Sequence, residues 1–116
     1  MNKVLLAFNG IISEGSDSEF KIGDDIVVEV VEEELEFESD VFLRYIISAN
    51  KISPEDIPEI LFNNLYGDIE AEHGCIPYSE WTGFVGWSDT LSVGGHDLIR
   101  ELMGYEGKYC YLEFSR

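Results

Sequence analysis

The sequence predicts an α+β fold: a twisted, mainly antiparallel sheet of about six strands, either open or curled toward a barrel, with two helices near 54–66 and 97–104. Three observations lead there. Strand-like segments gather at both ends of the chain instead of alternating with helices, which disfavours a doubly wound parallel sheet. Those segments are rich in β-branched and aromatic residues. Two others, opening at Ser53-Pro54 and at Asp97, carry helix-start chemistry.

In chain order, residues 3–13 alternate and become β-branched, predicting a first strand. Ser13–Ser18 is a turn cluster, and Gly23-Asp24-Asp25 is a second turn. Ile26–Phe37 predicts a strand whose start is apolar on both faces and whose end alternates, with Val31, Leu35 and Phe37 on one side. Val41–Ser48 suits helix and strand patterns alike; its β-branched and aromatic content favours strand. At 54–66, Ser53 can cap, Pro54 fits the first helical position, and Ile57, Ile60, Leu61 and Leu65 form a face that Gly67 closes. Tyr78–Trp87 predicts a strand, Thr90–Val93 a short return strand, and Lys108–Phe114 a last strand in which Tyr109, Tyr111 and Glu113 alternate with Cys110, Leu112 and Phe114. Residues 21–26 weakly echo residues 92–98, too weakly to predict a repeat architecture.

At 116 residues and 45% hydrophobic, with seven Phe, six Tyr and two Trp, the chain is expected to form one globular domain over 1–116. Such a chain folds without needing a disulfide or a metal. Its charge is unusual: 24 acidic residues against seven basic give a formal −17. Phosphates would be repelled, so direct nucleic-acid binding is not expected, and an anionic membrane surface is disfavoured on the same ground. A basic protein, or a basic surface on one, is the natural complement. Solubility alone is the plainer explanation. The apolar run Val4–Phe8 is too short for a signal-peptide core, and a cytoplasmic location with Cys75 and Cys110 as reduced thiols is expected.

Four features could carry chemistry. If Ile26–Phe37 is extended, Glu32, Glu34, Glu36 and Glu38 form a ladder of carboxylates roughly 7 Å apart, with Glu33 on the reverse face. That spacing is of the order of a nucleic-acid phosphate repeat, a surface property shared with acidic proteins that occupy nucleic-acid-binding grooves. A solvated or edge-protecting strand face accounts for it as well. The second feature is Gly94-Gly95-His96-Asp97, where glycines permit close backbone approach, His96 could exchange a proton, and Asp97 could equally be a helix cap.

Third, His73, Cys75, His96 and Cys110 are zinc-ligand types at spacings that fit no zinc motif, and Cys110 falls on the same strand face as Leu112 and Phe114. No metal and no cofactor are expected. Fourth, Trp81 and Trp87 share a strand face that Tyr78 and Phe84 do not, which favours core packing over an aromatic platform.

The expectation is therefore a non-enzymatic, acidic interaction protein of inhibitor or nucleic-acid-mimic type, docking a basic partner through Glu32, Glu34, Glu36 and Glu38. The alternative is a small-ligand-binding domain or enzyme built on Gly94, Gly95, His96 and Asp97, with Trp81 or Trp87 lining the pocket. A homo-oligomer is a third reading.

Overall fold

A computed structural model describes residues 3–15, 19–59, 61–72 and 89–116. The elements run β1 (Val4–Glu14), β2 (Phe20–Ile22), β3 (Asp25–Ile26), α1 (Val27–Glu34), β4 (Val41–Ser48), a 3-10 segment (Pro54–Glu59), β5 (Asn63–Gly67), β6 (Ile69–Glu72), β7 (Thr90–Val93), β8 (His96–Asp97), α2 (Leu98–Leu102) with a 3-10 extension (Met103–Tyr105), and β9 (Tyr109–Ser115). The fold is α+β. Six strands form an antiparallel sheet in the order β3-β2-β1-β9-β4-β5, and three more form a sheet in the order β6-β7-β8. Among the described residues the larger sheet ends at β3 and β5, so it is open and not closed into a barrel.

Alternation in the strands builds the core. Phe8 and Ile12 of β1, Val41, Leu43 and Tyr45 of β4, and Cys110, Leu112 and Phe114 of β9 all point inward. Val27, Val28 and Val31 of α1 and Leu98, Ile99 and Leu102 of α2 complete the same cluster. A buried side chain of this size stabilises the fold by about 1.5–3 kcal/mol. On the other face of the sheet, Phe42 and Tyr66 bring their rings to 4.3 Å, and the Arg44 guanidinium lies 4.4 Å from the Phe62 ring centre. The segment between β4 and β5 crosses this face, where Asn9 Nδ2 donates to the Ile52 carbonyl at 3.1 Å.

Two predicted elements differ. The strand expected over Ile26–Phe37 is the helix α1, followed from Leu35 by an irregular stretch. Buried Val27, Val28 and Val31 of the helix, with Leu35 at its C-cap, follow the helical spacing. Packing of that stripe outweighs the strand preference of its valines. The helix expected over 54–66 is also absent: the Pro54 start yields only a 3-10 segment, in which Pro58 supplies no N–H, and Asn63–Gly67 is strand β5. Leu61, placed on the buried face of that expected helix, is 91% exposed. The segment that suited both patterns, Val41–Ser48, is strand β4. The strand expected at Tyr78–Trp87 lies outside the described residues, as do His73, Cys75, Trp81 and Trp87.

Candidate functional site

The acidic segment is positioned by α1. Between Asp24 and Asp40 the chain carries nine acidic residues and no Lys or Arg. Glu32, Glu33 and Glu34 are exposed on the last turn of α1, and Glu36 and Glu38 are exposed in the stretch that follows. No straight ladder forms, because helical backbone turns successive residues by about 100° and does not send alternate ones along one line. The carboxylates are exposed but do not follow a phosphate-like repeat.

Electrostatics at this corner are unbalanced. The carboxylates of Glu32, Glu33 and Glu34 sit at the negative end of the helix dipole, and the last turn holds no basic residue. Arg116 reaches the backbone of the segment. Its guanidinium donates to the backbone carbonyls of Glu36, Ser39 and Asp40, the last two at 3.1 and 3.4 Å. It thereby fixes the path of the loop through backbone oxygens. Among the described residues, the carboxylates of Glu33, Glu34, Glu36 and Glu38 have no hydrogen-bond or ion-pair partner.

Gly94-Gly95 is the two-residue turn joining β7 to β8, with φ of 60° and 79°. Both angles are left-handed, the conformation a tight hairpin needs and glycine adopts freely. Asp97 caps α2, its Oδ1 accepting from the Arg100 N–H at 3.1 Å. His96 is half exposed, with Nε2 2.8 Å from Glu101 Oε2. Glu101 also hydrogen-bonds Tyr45, whose phenol is pushed up, first by burial and then by that contact.

A cleft of about 300 Å³ lies beside this turn, lined by Glu70, Asp89, Thr90, Leu91, Ser92, Gly95, Asp97 and Ile99. His96 does not line it. Two of its carboxylates already serve the fold: Asp97 as the cap, and Asp89, 2% exposed, accepting from the Phe20 N–H at 3.2 Å. Among the described residues no group of three His, Cys, Asp or Glu side chains is arranged to hold a metal ion. Cys110 is fully buried in β9, and burial pushes its thiol up to about 12, so it is a core residue and not a nucleophile.

A polar cluster on the sheet face away from the α1–α2 core went unforeseen. Arg44 Nε donates to Glu113 Oε2 at 2.6 Å, and Tyr111 Oη donates to Glu113 Oε1 at 3.1 Å. Glu113 is only 4% exposed. Burial, then the Glu113 charge, pushes the Tyr111 phenol up to about 12. A carboxylate inside an apolar strand was the available signal, but Arg44 lies 69 positions away.

No protein-family model matches the chain, and no curated protein or solved structure matches it either. Among the described residues, no helix is long and apolar enough to cross a membrane.

Proposed function

We propose that this chain is a non-enzymatic binding protein that docks a basic partner protein through the acidic end of α1 and the stretch after it. One observation carries the reading: nine carboxylates and no cation between Asp24 and Asp40, with Glu32, Glu33, Glu34, Glu36 and Glu38 all exposed. Like charges this close repel one another, and those at the helix end oppose its dipole. A cationic surface relieves both. An inhibitory contact that occupies a basic groove is the sharper form of the same proposal. Imitation of a phosphate repeat is not carried forward, since it required extended backbone. The alternative built on Gly94, Gly95, His96 and Asp97 draws less support from the described residues: Gly95 and Asp97 line the cleft, but the imidazole faces Glu101 and does not.

The salt dependence of association with a purified Lys/Arg-rich protein tests this. Affinity should fall steeply between low and physiological salt, as it does for exposed opposite charges. Affinity independent of salt would refute it.

A further inference from the structure

The order of strands reads the same from either end. β5 and β6 are separated only by Asp68; taken as one interrupted strand, they give β3-β2-β1-β9-β4-β5/β6-β7-β8. Exchanging β1 with β5/β6, β2 with β7, β3 with β8 and β4 with β9 returns the same order.

Residue registers obey the same exchange. Gly10 faces Cys110 as Gly67 faces Val41; Phe8 faces Leu112 as Leu65 faces Leu43; Leu6 faces Phe114 as Asn63 faces Tyr45. Ile12 faces Ile22 as Ile69 faces Val93. Across the two-residue turns, Ile22 faces Asp25 as Val93 faces His96. In the central pair, Leu43 faces Phe114 as Leu112 faces Tyr45, and Arg44 faces Glu113, its own equivalent.

Contacts outside the ladders agree. Gly23 N–H donates to the Ile11 carbonyl at 2.9 Å, and Gly94 N–H to that of Asp68 at 2.8 Å. Gly23 and Gly94 have φ of 62° and 60°. A Cβ on Gly10 would meet the Gly23 Cα at 2.6 Å, and one on Gly67 would meet the Gly94 Cα at 2.6 Å. Each hairpin runs directly into a helix, with Val27, Val28 and Val31 buried in one and Leu98, Ile99 and Leu102 in the other.

We infer that the chain is a duplicated unit, two copies of a hairpin–helix–strand module related by a two-fold axis between Arg44 and Glu113 and joined through residues 49–62. One register match could arise by parity alone. Agreement across three kinds of ladder, both turns and both glycine crossings could not. The modules exchange strands: β1 pairs with β9 of the other module, and β5 with β4. A chain of half this length would complete its sheet only with a second copy of itself, in a self-complementary interface. The weak echo between residues 21–26 and 92–98 is the trace of this repeat in the sequence. Where α1 ends in Glu32, Glu33 and Glu34, the equivalent turn carries Met103, Gly104 and Tyr105, so the fold does not demand the acidic run. The inference rests on geometry and is independent of the proposed function.

Two measurements test it. Cross-strand NOEs in the unaltered chain should place Gly10 opposite Cys110 and Gly67 opposite Val41; an offset between the two ladders overturns the equivalence. In full-length protein, replacing residues 91–102 with the sequence of residues 20–31 should preserve a single cooperative urea transition, at a lowered midpoint. The same graft shifted by one residue should abolish it. Loss of the transition in the in-register graft, or equal behaviour of the two grafts, overturns the inference.

Discussion

Arg44 and Glu113 meet at 2.6 Å across the central strand pair, joining a half-exposed guanidinium to a carboxylate that is almost fully buried. Burial makes the partner necessary. Among the described residues, Arg44→Met leaves the Glu113 carboxylate with only the Tyr111 hydroxyl, and unfolding stability should fall by about 1–3 kcal/mol. Urea denaturation measures this. A loss within about 0.5 kcal/mol, the usual effect of a surface change, would show that the pair is idle.

The glycine crossings predict a loss of stability at both positions. Gly10→Ala and Gly67→Ala each drive a Cβ to 2.6 Å from the backbone of a hairpin turn, at Gly23 and Gly94, which cannot withdraw like a side chain. Each should lower stability by about 1–3 kcal/mol, more at Gly67, where φ is +149°. Gly104→Ala meets nothing within 4 Å and should be neutral or slightly stabilising. Thermal melts of the three variants compare them directly.

Alkali should destabilise the protein through Cys110. The thiol titrates near 9 when unfolded and is pushed up to about 12 by burial. The folded state therefore holds its proton over a window in which the unfolded state releases it. The stabilisation is full below pH 9 and is lost as pH rises toward 12, by at most about 1.4 kcal/mol per pH unit. Cys110→Ala should flatten the first part of that slope, before tyrosines contribute. Urea midpoints at pH 8, 9 and 10 would show it, and identical slopes in both proteins would reject it.

At the end of α1, stability and binding should pull in opposite directions. Glu34→Lys places a cation at the negative end of the helix dipole and should stabilise the fold by about 0.3–1 kcal/mol. The same change should weaken association with a basic partner. A variant that loses stability would contradict the helical placement of Glu34.

Much of the fold was legible in the sequence, and the failures have physical causes. β1, β4, β7 and β9 fall where alternation and β-branching placed them, and α2 follows its Asp97 cap. Val27–Glu34 misled because valine favours strands locally, whereas the 27, 28, 31, 35 stripe is helical and only packing decides between them. Asn63–Gly67 misled because a sound helix start at Ser53-Pro54 was extended past Pro58. The site was less legible still. Exposed glutamates are visible in composition, but their arrangement depended on that one helix. Arg44 and Glu113, like the repeat they centre, are brought together by strand order, which no local pattern encodes.

The docking proposal is tested most directly by the dissociation constant for a cationic protein, compared between two variants of equal net charge. One carries E32Q, E34Q, E36Q and E38Q; the other carries E55Q, D56N, E72Q and E106Q, four exposed acids elsewhere. A local acidic face predicts about tenfold or greater weakening in the first and little change in the second. Equal weakening in both would mean that only overall charge matters, and the proposed face would not exist.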